Sequence, residues 1–230
     1  MKTFAEKIIE FNSKLKLDAK LPSGISVMNP FAENIHAVEA SSNFYRKFYN
    51  DNNKRYLILG INPGRFGAGV TGIPFTDSKR LKEKCGIIIN GIETHEPSAV
   101  FVYDVIDKFG GPKKFYFKFY INSICPLGFT IRSENGREIN YNYYDNSELT
   151  EAVYPFMIDS LKKQIAFGID NNICFCLGTG KNFKFISKVN EKYNFFEKII
   201  PLEHPRYVMQ YKSKQKQLYI RKYLRSINKL

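Results

Sequence analysis

The fold of this chain is decided where it reads Arg55-Tyr56-Leu57-Ile58-Leu59-Gly60-Ile61-Asn62-Pro63-Gly64-Arg65-Phe66-Gly67. Residues 55–59 form a short apolar run, which is typical of a buried parallel strand. A glycine-rich turn follows directly, and open α/β sheets bind their ligands at the carboxyl ends of their strands. We therefore expect a binding site at this turn. The amide of Asn62 could orient a water there, and the flat ring of Phe75 could stack on a planar group.

Strands and helices alternate along the rest of the chain. Apolar residues recur at helical spacing in residues 3–16, 41–49, 98–109 and 152–167, and again around Phe183, Ile186 and Val189. Three further segments have the composition of strands, at 117–124, 173–177 and 199–202. This alternation predicts a mostly parallel sheet with helices on both faces. We expect one domain over residues 1–230, in which residues 1–50 form an amino-terminal helical extension.

The chain carries a large excess of positive charge. Its 230 residues include 35 Lys and Arg against 22 Asp and Glu, a formal net charge of +13. Such a surface is expected of a protein that binds a polyanion, with nucleic acid as the natural partner and an anionic membrane surface as the alternative. The first ten residues contain acids and lysines where a secretory signal needs an apolar core, and no later segment has membrane-spanning length. We expect a cytoplasmic protein without membrane contact.

The glycine-rich turn matches a known motif when it is taken together with Thr71-Gly72-Ile73-Pro74-Phe75. A turn of this composition can also be no more than a turn. The two halves at this spacing closely resemble the first motif of the single-strand-selective monofunctional uracil-DNA glycosylases. His204-Pro205, after the last predicted strand, resembles a second landmark of their superfamily. The resemblance implies a three-layer α/β/α fold with a central four-stranded sheet and a cleft at the carboxyl ends of the strands.

The resemblance also implies a role for each motif residue. Asn62 would position the water that attacks the sugar, His204 would donate a hydrogen bond to uracil O2, and Phe75 would stack on the base. Gly64 lacks a side chain where the most uracil-restricted branch has a tyrosine, so the pocket should admit a substituent at C5 of the base. The remaining predicted substrate contacts from the first motif are Gly60, Ile61, Pro63 and Phe66.

The chain departs from the family pattern at two places. The family has a base-reading asparagine two residues before Cys-Pro-Leu, whereas this chain has Ser123 there and Asn122 one residue earlier. Either a bulge brings Asn122 to the base or the hydroxyl of Ser123 replaces it; Asn122 could also simply end a strand. The segment after His204 departs as well, which leaves Arg206, Tyr207 and Met209 as candidates for the side chain that fills the gap left by the flipped base.

The remaining basic residues divide into two groups. The carboxyl-terminal segment has the pattern of an amphipathic helix that packs its aromatic stripe, Tyr219 and Tyr223, on the sheet and exposes a basic face. Lys212 and Lys214 lie just beyond the His204 loop, where the phosphates of a bound strand would pass. We include them, with Arg65, among the predicted DNA contacts.

These features together predict a monofunctional uracil-DNA glycosylase that starts base-excision repair on uracil, and on 5-substituted uracils, in single-stranded or double-stranded DNA. We expect a monomer without a cofactor or a metal, because the four cysteines lack the paired spacing of a zinc site or a disulfide framework. Two alternatives stay open. A non-catalytic single-strand binder would not need Asn62 and His204, and a small-molecule hydrolase would not need the net charge of +13.

Overall fold

The computed structural model describes residues 1–229. Its strands, in chain order, are β1 (Ile25–Met28), β2 (Arg55–Gly60), β3 (Phe119–Ser123), β4 (Gly128–Arg132), β5 (Glu138–Tyr141), β6 (Ile169–Leu177) and β7 (Lys198–Leu202). Its helices are α1 (Phe4–Ser13), α2 (Pro30–Glu33), α3 (Ile35–Phe48), α4 (Ala68–Thr71), α5 (Ser78–Cys85), α6 (Pro97–Phe109), α7 (Pro112–Lys118), α8 (Ser147–Ile165), α9 (Lys181–Tyr193), α10 (Pro205–Tyr211) and α11 (Lys216–Ile227), with a 3₁₀ turn at Ser213–Gln215.

Four strands form a central, fully parallel sheet in the order β3-β2-β6-β7. The apolar run of β2 lies inside this sheet, where Leu57 and Leu59 are completely buried. Helices cover both faces, so the predicted three-layer α/β architecture is confirmed. Because the strands are parallel, the segments that follow β2, β3, β6 and β7 emerge at one edge of the sheet.

A second sheet was not expected from the sequence. Strands β1, β4 and β5 form an antiparallel sheet in which β4 and β5 are a hairpin and β1 pairs with β4. Residues 1–50 therefore contain a strand as well as the helices predicted there. The apolar signal is weak because β1 and β5 are four residues long and mostly exposed. The pairing joins Ile25 to Ile131, more than a hundred residues apart.

The start of β2 is fixed by a buried charge. The guanidinium of Arg55 lies between the rings of Phe4 and Tyr49, 4.7 Å from each centroid. Its Nη1 donates to Asp51 Oδ1 at 2.8 Å, and its Nε donates to the carbonyl of Tyr116 at 2.8 Å. A buried cation needs such partners. Arg55 thereby joins α1, α3 and α7 to the central strand.

The carboxyl-terminal helix packs differently from the prediction. Tyr219, Tyr223 and Ile227 are buried on one face of α11, as the amphipathic pattern requires. That face lies against α6, with Phe101 and Tyr223 in edge contact at 5.1 Å between ring centroids, so the helix adds to the layer outside the sheet. Between residues 1 and 229, none of the helices has the length and apolar character that spanning a membrane requires.

Candidate active site

A cleft of about 920 Å³ opens at the carboxyl ends of the parallel strands. The structure brings most of the predicted site residues to its walls: Ile61, Asn62, Pro63, Gly64, Phe66, Phe75, Ser123, His204, Arg206, Tyr207 and Met209. Five predicted residues are not among its lining residues: Gly60, Arg65, Asn122, Lys212 and Lys214.

The side chain of Asn62 is held at both ends of its amide. Its Nδ2 donates to the carbonyl of Tyr141 at 3.1 Å, and its Oδ1 accepts from the backbone N–H of Tyr143 at 3.2 Å. These partners assign which atom of the amide is oxygen. The oxygen keeps a second lone pair, which can accept a hydrogen bond from a water in the cleft.

Gly60, Phe75 and Ser123 converge beneath the cleft. A Cβ on Gly60 would lie 3.2 Å from the ring of Phe75, closer than side chains normally pack, and 3.4 Å from Ser123 Oγ. The absence of a side chain at Gly60 therefore lets the ring settle against the end of β2. The result is an aromatic surface with a hydroxyl beside it, which suits a planar heterocycle.

The conformation of Phe75 explains the Thr71-Gly72-Ile73-Pro74-Phe75 motif. Phe75 has φ of 53°, in the left-handed region that a bulky side chain rarely adopts. The buried Thr71 holds this turn, since its hydroxyl donates to the carbonyl of Thr76 at 2.7 Å and accepts from the N–H of Ile73 at 3.1 Å. The motif thus fixes the ring of Phe75 in place.

His204 is the N-cap residue of α10, and its imidazole is neutral near pH 7. Its Nδ1 accepts from the N–H of Arg206 at 3.2 Å, so the neutral ring carries its proton on Nε2. Burial, with the nearby charge of Arg206 adding to it, lowers the pKa of His204 to about 4. The ring of His204 lies 5.7 Å from that of Phe75. A donor thus stands beside the aromatic surface near neutral pH.

The loop before His204 is tied to the carboxyl-terminal helix. The buried hydroxyl of Tyr223 donates a short hydrogen bond to the carbonyl of Glu203, and Lys222 Nζ lies 3.0 Å from Glu203 Oε1. Pro205 provides the first residue of α10, and Val208 anchors that helix in the core. These contacts set where His204 enters the cleft.

The two candidates for the base-reading position face different ways. Strands β2 and β3 pair in regular register, with Leu59 opposite Asn122 and Gly60 opposite Ser123, so the proposed bulge is absent. Successive residues of a strand point to opposite faces. Asn122 turns away from the cleft, where its Nδ2 donates to Tyr120 Oη at 2.6 Å. Ser123 is the one that lines the cleft, and its hydroxyl bonds to none of the described residues.

The rim of the cleft is basic and aromatic. Arg206 and Tyr207 project from the exposed face of α10, where the ring of Tyr207 lies 5.6 Å from that of Tyr211. On the opposite side Phe66 is half-exposed, with the guanidinium of Arg65 at 4.9 Å from its ring. Lys212 directly follows α10 and Lys214 lies on the 3₁₀ turn, and neither residue lines the cleft.

Comparison with known proteins agrees with this geometry. The model of the uracil DNA glycosylase superfamily matches residues 46–228. The chain belongs to this superfamily. It is similar to wild-type SMUG2 of Pedobacter heparinus, whose crystal structure shares 55% sequence identity over 99% of this chain and 98% of that one, with a TM-score of 0.97. None of the curated proteins matches the chain significantly. The predicted family is confirmed, and with it a DNA glycosylase type of function with DNA as partner.

Two polar residues that line the cleft belong to none of the motifs found in the sequence. Glu96 precedes α6, and its carboxyl lies against the first-motif turn so closely that a Cβ on Gly67 would collide with it. Asn140 on β5 accepts from the N–H of Arg65 at 3.0 Å. Burial raises the pKa of Glu96 to about 7; Asp77 adds to the rise and Arg206 opposes it. Sequence reasoning missed both residues because their approach to the turn depends on tertiary packing.

A third wall of the glycosylase cleft is the start of α9, where Gly178, Thr179, Gly180 and Lys181 follow β6. Their position directly after a strand was the only sequence signal for this wall. Gly180 precedes the first turn without a side-chain cap, so backbone N–H groups face outward there. In the part of the chain that the structure describes, no three His, Cys, Asp or Glu residues cluster as metal ligands.

Proposed function

We propose that this protein is a monofunctional DNA glycosylase that hydrolyses the N-glycosidic bond of uracil, and of 5-substituted uracils, in DNA. The observation that carries the proposal is the doubly held amide of Asn62 in a cleft that also contains the ring of Phe75 and the neutral imidazole of His204. The protein acts as a cytoplasmic monomer and starts base-excision repair.

The target base leaves the stack to enter the cleft. A base inside a duplex is out of reach, so the enzyme binds a single strand or extrudes the nucleotide. Phe75 replaces the lost stacking, and Ser123 offers a hydroxyl to the edge of the base. Arg206, Tyr207 and Met209 line the side of the cleft that would meet the neighbouring nucleotides. The net charge of +13 favours the approach of the phosphate backbone.

Bond cleavage leaves positive charge on the sugar and negative charge on the base. Uracil departs with the electron pair of the N-glycosidic bond, and His204 donates its Nε2–H to O2 of the developing anion. Because uracil is a stable anion, this hydrogen bond replaces the proton donor of other glycosidases. A neutral imidazole is sufficient to donate this hydrogen bond, and the pKa of about 4 keeps His204 neutral at physiological pH.

The water is positioned and not deprotonated by the protein. Asn62 Oδ1 accepts a hydrogen bond from the water, which directs the water oxygen at the anomeric carbon of the cationic sugar. An amide has no useful basicity, so the cation and the flanking phosphates provide the activation, and the surplus proton passes to solvent. The reaction requires no lysine nucleophile. The product is therefore an abasic site in an intact strand.

A uracil-containing oligonucleotide tests this function. The protein should convert it to a product that breaks only after alkali, and leave the matched thymine oligonucleotide intact. A strand break without alkali would indicate a lyase. Tight binding without alkali-labile sites would favour the non-catalytic single-strand binder, and neither binding nor cleavage would favour the small-molecule hydrolase.

A further inference from the structure

Glu96 is an unexpected group in a cleft that receives DNA. The phosphate backbone is a polyanion, so a carboxyl beside it costs binding free energy unless it has a specific role. Among residues 1–229 no side chain forms an ion pair or hydrogen bond with this carboxyl; the hydrogen bonds of Glu96 are made by its backbone, whose N–H donates to Asp77 Oδ2 at 2.7 Å and whose carbonyl accepts from the N–H of Ala99 at 2.9 Å. The mechanism above makes no use of it.

The carboxyl of Glu96 and the amide of Asn140 flank one gap above Gly64. A Cβ on Gly64 would lie 3.5 Å from Glu96 Oε1 and 3.5 Å from Asn140 Nδ2. Because Asn140 Oδ1 accepts from the N–H of Arg65, it is the Nδ2 end of this amide that faces the gap. The gap therefore offers a hydrogen-bond acceptor on one side and a donor on the other.

The proposed binding mode directs C5 of the base toward this gap. C5 lies directly across the pyrimidine ring from C2, whose oxygen His204 binds. With O2 held beyond β7, C5 points away from that strand and toward the turn after β2, which contains Gly64 and Asn62. Because Gly64 has no side chain, a substituent on C5 can reach both polar groups.

We infer that Glu96 and Asn140 form a polar subsite that selects C5 substituents able to donate a hydrogen bond. The inference rests on the proposed function. A hydroxymethyl group can donate to the carboxyl and accept from Asn140, and a protonated aminomethyl group can donate to the carboxyl while adding charge attraction. A formyl group can only accept, a carboxyl group repels Glu96, and the methyl of thymine removes water from both polar groups without replacing its hydrogen bonds.

The test, run at a pH above the pKa of about 7 of Glu96 so that its carboxyl is ionised, uses single-stranded oligonucleotides with one uracil carrying aminomethyl, hydroxymethyl, formyl, carboxyl or methyl at C5, beside unsubstituted uracil. For each variant, kcat/KM on every substituted base is divided by that variant's own value on uracil, and these ratios are compared with the parent's. This comparison cancels the effect of each substituent on the acidity of the leaving base. It also separates specificity from any general loss of activity.

Glu96→Gln and Glu96→Ala should each lower the aminomethyl-to-formyl ratio by about tenfold or more, the size expected when a buried polar contact is lost. Asn140→Asp, which replaces the donor by an acceptor, should lower the relative rate on the formyl base. Glu93→Gln is the matched control, since Glu93 is exposed three residues earlier and does not line the cleft. It should leave every ratio unchanged.

The outcomes separate this inference from the function on which it rests. A parent protein inactive on uracil contradicts the proposed function. A parent that cleaves uracil but none of the substituted bases overturns the subsite, and so do Glu96 variants whose ratios stay within twofold of the parent's. If the Glu96 variants fail to fold, the Asn140→Asp variant decides alone. An unchanged ratio of kcat/KM on the formyl base to kcat/KM on uracil in that variant overturns the inference.

Discussion

The parallel and the antiparallel sheets contribute different things to one site. The parallel sheet delivers the groups proposed to meet the base and sugar, namely Asn62, Ser123 and His204 at the ends of β2, β3 and β7. The end of the antiparallel sheet and the turn after it deliver backbone atoms of Tyr141 and Tyr143 that orient Asn62, and β5 delivers the side chain of Asn140. Asn62 and the groups that orient it thus come from separate sheets, and each can be disturbed alone.

Removing the reactive groups should have the largest effect. Asn62→Ala and His204→Ala should each lower kcat by roughly two to four orders of magnitude, because a positioning group or an anion-stabilising group is lost. Affinity for DNA should stay within a few-fold, as measured by fluorescence anisotropy beside single-turnover cleavage. His36→Ala, at an exposed histidine of α3, is the control and should cleave like the parent. Near-parental cleavage by either active-site variant would contradict its assigned role.

Filling the gap above Gly64, which Glu96 and Asn140 flank, should have the next largest effect. Gly64→Tyr places a ring between Glu96 and Asn140, so activity on 5-hydroxymethyluracil should fall at least about tenfold more than activity on uracil, since the polar partners of the substituent are displaced. Initial rates on the two bases in the same strand measure the difference. An equal loss on both bases would mean that the ring blocks the whole pocket and that C5 does not point to Gly64.

The contacts that hold the loop before His204 lie outside both sheets, and removing one of them should lower kcat less than the changes above. Tyr223→Phe removes the hydroxyl that bonds the carbonyl of Glu203 and should lower kcat about tenfold as the imidazole loses its fixed position, with KM for DNA nearly unchanged. Tyr219→Phe, on the same face of α11, is the matched control for the loss of a tyrosine hydroxyl from this helix. If both variants lose activity equally, α11 acts through general stability.

The basic residues beyond the cleft should give the smallest effect. Lys212→Ala or Lys214→Ala should reduce the slope of log affinity against log salt concentration by about one unit, with little change in kcat, because one phosphate contact is lost. Lys14→Ala is the control, since Lys14 is paired with Glu10 on α1. A binding constant that does not respond to salt would assign the net charge of +13 no part in DNA binding.

The contrast between the sheets also explains what could be predicted from the sequence. The parallel strands contain apolar runs, and Asn62 and His204 lie two residues beyond the ends of β2 and β7, so local patterns sufficed. The hairpin of β4 and β5 is short, half-exposed and paired with a strand far away in the chain, so no local pattern marked it or Asn140. Glu96 had no motif either, because its neighbours come from tertiary packing.

The choice between Asn122 and Ser123 shows a different limit of prediction from sequence. A shift of one residue in register reverses which side chain faces the cleft. Composition predicts a strand over this segment with either register, and the pairing of Gly60 with Ser123 depends on how β3 aligns with β2. The structure supplies that alignment. The position of His204 was easier to predict, because the His204-Pro205 landmark follows the last predicted strand whichever register that strand adopts.

The bond between Asn62 and the backbone of Tyr143 makes one amide proton an internal reporter. The Tyr143 N–H can exchange with deuterated solvent only while the side chain of Asn62 has released it. Its exchange rate therefore measures how often the Asn62 amide, proposed to position the water, has lost this hydrogen bond. The measurement needs neither DNA nor a reaction. A substitution in the distant hairpin turn that accelerates this one exchange would reveal a population of folded but incompetent enzyme that a melting curve cannot distinguish from the active form.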